Sequence, residues 1–292
     1  MNKTFSKRLA ALSLCAAMAF ALAACGHDKP EPDPHEGMAY VNTGASWEWI
    51  YPAEGVAVSD FREEEFDLSG EIPEYTGSGY DTRLGIDVSF YQGDIDWKAV
   101  RDAGVEFAII RCGYRGSESG AMVVDEKFEA NIQGAIDAGL DVGVYFFSQS
   151  TGAIEAAEEA NFVLDLIKDY EITMPVAFDW EPLADSRAED IDRDELTASA
   201  VVFCEMVKDA GYTPCVYLYR YIGYYEYDME RLGGYELWVG AAGGWPDFYY
   251  EHHLWQFSFT SRIDGIDADV DMNLQFVPRP ADTEIEPPAE TK

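Results

Sequence analysis

The chain has 292 residues, of which 48% are hydrophobic and 14% aromatic, so it can form one large globular domain or two small ones. Acidic residues number 55 and basic residues 20, which gives a formal net charge of −35 at pH 7. Such a charge argues strongly against nucleic acid and anionic membrane surfaces as electrostatic partners.

The N-terminus has the pattern of a secretory signal, with three basic residues followed by an apolar stretch over residues 9–24. That stretch is short for a membrane span, which needs about 20 residues. It ends in Leu22-Ala-Ala-Cys25, which resembles a bacterial lipobox. We therefore expect removal of residues 1–24 and an extracytoplasmic protein anchored to the membrane by lipid on Cys25. The alternative is an ordinary signal peptide whose cleavage site precedes a cysteine.

Residues 25–82 are predicted to form an acidic tether and an N-terminal extension, because the segment is rich in Pro, Gly and Ser. Its aromatic residues Trp47, Trp49 and Tyr51 are too many for pure disorder. This part either docks on the main domain or binds something else. Residues 278–292 contain several prolines and acids and are predicted to be a disordered acidic tail.

Between residues 83 and 277, strand-like and helix-like segments alternate. The first five predicted strands are Leu84–Val88, Val105–Arg111, Asp141–Phe147, Pro175–Trp180 and Pro214–Tyr219. The helices predicted between them are Trp97–Ala103, Asp125–Ala138, Ala153–Lys168 and Glu195–Ala210, of which the second ends at Gly139 and the fourth at Gly211. Three further strands, Leu237–Gly240, Leu254–Phe259 and Val270–Phe276, are joined by loops.

Repeated strand–helix units of this kind predict a parallel sheet of the α/β class, either doubly wound or closed into a barrel. The first strand is not followed by a Gly-rich phosphate loop, which weakens the dinucleotide-binding version of the doubly wound sheet.

The segment Met174–Pro182 (MPVAFDWEP) is the strongest chemical signal, because a short apolar run ends in two carboxylates, Asp179 and Glu181. On a strand, positions i and i+2 project to the same face about 6.6 Å apart. Two acids in an apolar setting cannot both ionise cheaply, so the pKa of one rises. A proton donor beside a negative stabiliser suits cleavage of a glycosidic bond. The alternative is a solvated acidic strand end.

In a barrel, the carboxyl ends of the strands surround the active site. These ends carry acids and aromatic side chains that predict a sugar-cleaving mouth: Asp87, Phe147, Asp179, Glu181, Tyr219, Trp238, Trp255, Gln256 and Asp271. We assign Trp97 to core packing, and we expect Arg111 to pair with an acid of the rim rather than to touch substrate.

Cofactor and metal chemistry are not expected. Cysteines Cys112, Cys204 and Cys215 remain after the predicted processing, an odd number that argues against a disulfide framework. Cys112 and Cys215 lie in apolar strand-like runs and are predicted to be small buried hydrophobes. No His/Cys cluster has the spacing of metal ligands.

From about Leu84 to Phe276 the chain resembles glycoside hydrolase family 25, the lysozymes that act as N-acetylmuramidases. The resemblance is carried by an ordered set of motifs: Gly85–Ser89 (GIDVS), Phe107–Arg111 (FAIIR), Asp125 with Phe128 and Asn131, Gly143–Ser148 (GVYFFS), Phe178–Glu181 (FDWE), Leu237–Val239 (LWV), Leu254–Phe257 (LWQF) and Val270–Asn273 (VDMN). It implies an irregular TIM-like (β/α)5(β)3 barrel. It also implies hydrolysis of the β-1,4 bond between N-acetylmuramic acid and N-acetylglucosamine in peptidoglycan.

By the family pattern, Glu181 is the general acid, and Asp87, Asp179 and Asp271 are the other active-site acids. Asp179 either stabilises the oxocarbenium-like state or holds the 2-acetamido group of the substrate while that group attacks. We slightly favour the second, retaining route. Expected substrate contacts come from the strand ends: Tyr145, Phe147, Tyr219, Trp238, Trp255 and Gln256.

Two positions depart from the pattern of many family members. Phe146 stands where many have His, and Ala242 stands where many have an aromatic residue, which could shorten a sugar-stacking wall. Two alternative functions stay open. One is a barrel glycosidase acting on another N-acetylated glycan, such as a chitinase. The other is a lipoprotein that binds peptidoglycan without cutting it, which the four acids argue against. The expected partners are peptidoglycan glycan strands and, through the anchor, the membrane.

Overall fold

A computed structural model describes residues 33–280, within which a compact unit begins at Ala39. The predicted signal peptide, the tether up to residue 32, the lipidation site Cys25 and the tail from residue 281 lie outside the described residues. Among the residues from 33 to 280, no helix is long and apolar enough to cross a membrane.

Eight strands close into a barrel, and a ninth is added at its edge. Around the barrel they follow the order β5 (Tyr80–Val88), β6 (Phe107–Arg115), β8 (Asp141–Ser148), β9 (Val176–Trp180), β10 (Pro214–Tyr219), β11 (Glu236–Gly240), β12 (Leu254–Ser261) and β13 (Val270–Pro278). Neighbours are parallel from β5 to β12, whereas β13 is antiparallel to both β12 and β5. The predicted closure into an irregular α/β barrel is confirmed.

A helix follows each of the first five barrel strands, whereas loops join the last three strands to one another. This is the expected pattern of five β/α units followed by three strands. The helices are α1 (Trp97–Asp102), α2 (Phe128–Asp137), α3 (Ala153–Ile167), α4 (Arg193–Asp209) and the short α5 (Met229–Leu232). The side chain of Asp192 caps α4 by accepting from the backbone N–H of Glu195. Gly139 and Gly211, with φ of 78° and 91°, follow α2 and α4 as predicted for C-terminal stops.

Several predicted boundaries were wrong. Strand β5 begins at Tyr80 rather than Leu84, because it pairs along its whole length with β13, which itself continues to Pro278. Strand β6 runs past Arg111 to Arg115 and forms a hairpin with β7 (Met122–Val124), which the sequence did not reveal. Helix α2 begins at Phe128 rather than Asp125.

The N-terminal extension packs on the barrel, which is the docking alternative left open above. It contains two antiparallel pairs, β1 (Ala39–Asn42) with β2 (Trp47–Ile50) and β3 (Phe66–Asp67) with β4 (Glu74–Tyr75). Phe61 is buried, with its ring centroid 4.5 Å from that of Phe276 on β13. The extension therefore contributes to the core of the barrel domain.

Hydrophobic side chains form two layers, as the alternation of strand faces requires. One cluster fills the barrel interior and includes Phe107, Ile109 and Trp238. The larger one lies between the strands and the helices and includes Ala108, Ile110 and, as predicted, Trp97. Cys112 and Cys215 are buried and unbridged, as predicted, and so is Cys204.

Candidate active site

Four carboxylates lie at one end of the barrel around a cleft of about 540 Å³. Asp87 is near the end of β5, Asp179 near the end of β9, Glu181 just beyond β9, and Asp271 at the start of the antiparallel β13. All four line the cleft, together with Val88, Ser89, Tyr91, Gln92, Arg111, Tyr145, Phe147, Leu183, Phe259 and Asp269. The fold thus brings together the four acids named from the sequence.

Strand β9 explains how two of these acids come to share the cleft. All five of its residues are buried, and it is parallel to β8 on one side and β10 on the other. Asp179 has Phe147 and Tyr217 as its lateral neighbours. Glu181 lies two residues further and is only partly buried, and its backbone carbonyl accepts a hydrogen bond of 3.1 Å from Gln149 Nε2.

Asp87 and Asp271 face each other directly in the β5–β13 pairing. Gln256 Nε2 donates to Asp87 Oδ2 at 2.9 Å and to Asp271 Oδ2 at 3.2 Å. The side-chain oxygen of Gln256, Oε1, in turn accepts a hydrogen bond of 2.6 Å from the Tyr217 hydroxyl, which fixes the orientation of the side-chain amide. Asn273 Nδ2 donates a second bond to Asp87 Oδ2 at 2.8 Å. These neutral donors hold two carboxylates close together without neutralising their charge.

Burial raises the pKa of every acid in this cluster, and repulsion by neighbouring carboxylates adds to the rise for Asp179, Glu181 and Asp271. Burial raises the pKa of Asp87 to about 6, although the bonds from Asn273 and Gln256 oppose the rise. The pKa of Asp271 rises to about 8 through burial, then through the charges of Asp87 and Glu181. At neutral pH Asp271 therefore retains its proton, whereas Asp87 is largely ionised and its negative charge acts on the other three acids.

The pKa of each acid in the β9 motif is raised, but not by the same set of neighbours. Burial and the charge of Asp87 raise the pKa of Glu181. Burial raises the pKa of Asp179 well above its ordinary value, and the charges of Glu181 and Asp87 add to it. The sequence predicts that the pKa of one acid of the pair is raised by the other. In the structure, Glu181 raises the pKa of Asp179, and Asp87 raises the pKa of both.

Arg111 is the one basic side chain lining the cleft in the described part of the chain. Its Nε binds Asp125 Oδ2 at 2.7 Å, so its partner is an acid just before α2 rather than one of the four cleft acids. The guanidinium carbon lies 5.0 Å from the ring centroid of Phe90 and 5.4 Å from that of Tyr91. Its positive charge lowers the pKa of Asp179, although burial outweighs this effect.

Three of the predicted substrate contacts lie at or beside the cleft. Tyr145 and Phe147 on β8 line it. Tyr219 at the end of β10 is half-buried, and burial followed by the charges of Glu181 and Asp179 raises the pKa of its hydroxyl to about 12. Since these charges act on its hydroxyl, Tyr219 lies close to Glu181 and Asp179.

The other three predicted contacts need correction. Gln256 is buried and binds the acids, so it positions them. Trp238 is buried inside the barrel, where its Nε1 donates to Asn273 Oδ1 at 2.8 Å. Trp255 is fully buried on the opposite face of β12 from Gln256, in the core outside the barrel, where it donates to the carbonyl of Ala241. Neither tryptophan presents a free face to a sugar.

The sequence did not identify several further cleft residues. Tyr91, Leu183 and Asp269 lie in connections between strands, and Phe259 lies on β12. No periodic pattern marks such positions. Within residues 33–280, no group of three or more His, Cys, Asp and Glu side chains is arranged to hold a metal ion. The chemistry available at this site is that of carboxyl groups in a partly desolvated cleft.

Residues 86–266 match the family model described as Glycosyl hydrolases family 25. The chain belongs to glycosyl hydrolase family 25. The matched region contains Asp87, Asp179, Glu181 and Gln256 and ends shortly before Asp271.

Similar proteins of known sequence include Lysozyme M1 of Streptomyces globisporus, 28% identical over 201 residues that cover 65% of this chain and 66% of the relative. The Autolytic lysozyme of Clostridium acetobutylicum is 23% identical over 191 residues, covering 65% of this chain and 54% of the relative. The chain thus spans between about half and two thirds of the length of these relatives.

Solved structures support the same fold. A family 25 glycosyl hydrolase from Bacillus anthracis matches with a TM-score of 0.55 and 24% identity, covering 67% of this chain and 89% of the other. The modular autolysin LytC from Streptococcus pneumoniae, solved in complex with a synthetic peptidoglycan ligand, matches with a TM-score of 0.58 and 22% identity, covering 82% and 61%.

Proposed function

We propose that this protein is a peptidoglycan hydrolase that cleaves the β-1,4 bond between N-acetylmuramic acid and N-acetylglucosamine. The observation that carries the proposal is the cluster of four carboxylates with raised pKa values around one cleft. Family membership and the names of the relatives, which include lysozymes, support it.

Glu181 is the proposed general acid. It is partly open to the cleft, so it can reach a bound glycosidic oxygen. Burial and the charge of Asp87 raise its pKa, which favours the protonated form that a general acid needs. Donation of that proton to the departing sugar oxygen removes the cost of expelling an alkoxide.

Asp179 is proposed to act on the 2-acetamido group of the substrate. Its Oδ1 is buried and accepts no hydrogen bond from the described residues, so it is suited to accept the N–H of a bound acetamido group. That contact would orient the acetamido oxygen toward the anomeric carbon, in a retaining route assisted by the substrate. Direct stabilisation of the oxocarbenium-like state by Asp179 remains the alternative.

Asp87 and Asp271 are proposed to set the electrostatic conditions for this step. The charge of Asp87 raises the pKa of Glu181, Asp179 and Asp271. Gln256 holds Asp87 and Asp271 at fixed separation. As positive charge develops on the sugar ring, the ionised carboxylate of Asp87 can stabilise it without reorganisation.

The test is clearing of purified cell walls by the wild type and by Glu181→Gln. We expect the variant to lose about 10²–10⁴-fold in rate while keeping its melting temperature, because general acid catalysis contributes on that scale. Glu171→Gln, an exposed glutamate before β9, is the matched control and should clear walls like the wild type. Near-normal clearing by Glu181→Gln would sink the assignment.

We also propose that the mature protein is anchored outside the cytoplasm by lipid on Cys25. The support is the motif Leu22-Ala-Ala-Cys25 after an apolar stretch. Replacing Cys25 by Ser should move the protein from the membrane fraction to the soluble fraction or leave it unprocessed. A wild-type protein that is soluble and begins at a different residue would refute the anchor.

A further inference from the structure

The backbone ladder between β8 and β9 ends before it reaches the carbonyl group of Glu181. The last residues that pair in register are Ser148 and Trp180. Alternate N–H groups of β8 donate towards β9 from Val144 onward, and this pattern would next bring the N–H of Ser150 to Glu181. That N–H donates instead to Oγ of Ser148, at 3.2 Å. Another group must therefore hold the Glu181 carbonyl.

The side chain of Gln149 bridges the two strands where the ladder ends. Its Nε2 donates to the carbonyl oxygen of Ser148 at 2.9 Å and to that of Glu181 at 3.1 Å. One amide thus joins the last residue of β8 to the first residue beyond β9. Gln149 is fully buried, which shields this bridge from bulk solvent.

The backbone of Gln149 is held in turn by the loop that follows Glu181. Arg187 Nη1 donates to the carbonyl oxygen of Gln149 at 3.1 Å. The guanidinium also forms a bidentate ion pair with Glu155 on α3, at 2.6 Å and 2.7 Å, and the Arg187 N–H donates to the carbonyl of Ser117. Bidentate pairs of this kind fix geometry as well as adding energy. A chain of contacts therefore runs from α3 through Arg187 and Gln149 to the backbone of Glu181.

The second atom of the Gln149 amide indicates that this side chain does more than stabilise the fold. Its Oε1 is buried and accepts no hydrogen bond from residues 33–280. An unpaired buried acceptor costs free energy that an apolar side chain of the same size would avoid. The presence of glutamine is therefore explained by the two carbonyl groups that its Nε2 holds.

We propose that Gln149 is a positioning residue for the general acid Glu181, and that Arg187 acts through it. The amide fixes the point at which the Glu181 side chain leaves the backbone at the edge of the cleft. A catalytic group must be held within about 0.5 Å of its productive position, and a misplacement of about 1 Å can cost about 10²-fold in rate. This inference rests on the proposed function, because it takes Glu181 as the proton donor.

The experiment compares steady-state hydrolysis of soluble peptidoglycan fragments by the wild type and by Gln149→Met. Methionine is unbranched like glutamine but has no hydrogen to donate. We expect kcat to fall by about tenfold and KM to stay within about twofold, because the acid is displaced while the substrate contacts remain. Gln133→Met, an exposed glutamine on α2, is the matched control and should keep the wild-type kcat and KM.

A second variant tests whether Arg187 acts through Gln149. Arg187→Lys keeps a positive charge beside Glu155 but loses the bidentate geometry, and it should lower kcat by about threefold. The double variant Gln149→Met/Arg187→Lys should lose about as much as Gln149→Met alone. Substitutions that act through one contact are not additive, whereas independent ones are.

Melting temperatures identify a variant that does not fold, and the folded single variant then decides. An unchanged kcat in that variant would overturn the proposal. So would a rise in KM at unchanged kcat, or losses that multiply in the double variant. Failure of the proposed function has a separate signature, because Glu181→Gln would then retain the wild-type kcat whatever Gln149→Met does.

Discussion

Asp271→Asn should stabilise the protein at pH 8 and leave its stability unchanged near pH 4. The pKa of Asp271 rises from 3.8 to about 8 in the folded protein, so between these values the folded state binds more protons than the unfolded state. Stability of the wild type therefore falls as the pH rises through this interval. An asparagine does not titrate, so the variant escapes this loss.

The size of the expected stabilisation follows from the same pKa interval. At about 1.4 kcal/mol per pH unit, the rise from 3.8 to about 8 sets an upper bound of roughly 6 kcal/mol. Asp271 is only partly buried, and the neighbouring carboxyls share the repulsion, so we expect about 1–2 kcal/mol at pH 8. For a domain of this size, that corresponds to an increase of about 2–8 °C in Tm.

Thermal unfolding followed by circular dichroism at pH 4 and pH 8 measures the effect. Asp264→Asn, an exposed carboxylate in the connection before β13, is the matched control and should change Tm equally little at both values. If Asp271→Asn shifts Tm by the same amount at pH 4 and pH 8, or lowers it at pH 8, the electrostatic reasoning about the cluster fails.

Three further substitutions probe other parts of the account. Asp87→Asn removes a charge that raises the pKa of Glu181, so the alkaline limb of the residual activity should move to lower pH, which a pH–rate profile reports; an unmoved limb would contradict this role of Asp87. Gln256→Leu deletes the hydrogen-bond donor shared by Asp87 and Asp271. It should cut kcat by about tenfold or more, which is about 1.4 kcal/mol of barrier, with a smaller change in KM. An unchanged kcat would contradict a positioning role for Gln256. Phe61→Ala should cost about 3 kcal/mol of unfolding free energy in urea titrations, because the extension is part of the core, and a cost near zero would argue that it is only loosely attached.

Much of the barrel could be predicted because its strands are apolar runs of ordinary length separated by helical periodicity. The pairing of β9 with its parallel neighbours requires Asp179 and Glu181 to reach the same end as Asp87, and this follows from strand direction alone. Strand ends were less predictable, because pairing with a distant partner extended β5 and β13 beyond their apolar runs.

The buried position of Trp255 could have been predicted from the sequence. Trp255 and Gln256 are consecutive on β12, and consecutive side chains on a strand point to opposite faces. Only one of them could face the barrel interior, and the bonds from Gln256 to the acids identify which. By contrast, the packing of Phe61 against Phe276 joins segments far apart in the chain, which local sequence does not encode.

The most direct test of the central proposal is the identity of the new reducing ends released from purified peptidoglycan. Fragments are reduced with borohydride and analysed by mass spectrometry. Cleavage with Glu181 as general acid between N-acetylmuramic acid and N-acetylglucosamine predicts fragments that end in reduced N-acetylmuramic acid, and none above background from Glu181→Gln. Fragments that end in reduced N-acetylglucosamine, or equal release by the variant, would contradict the account.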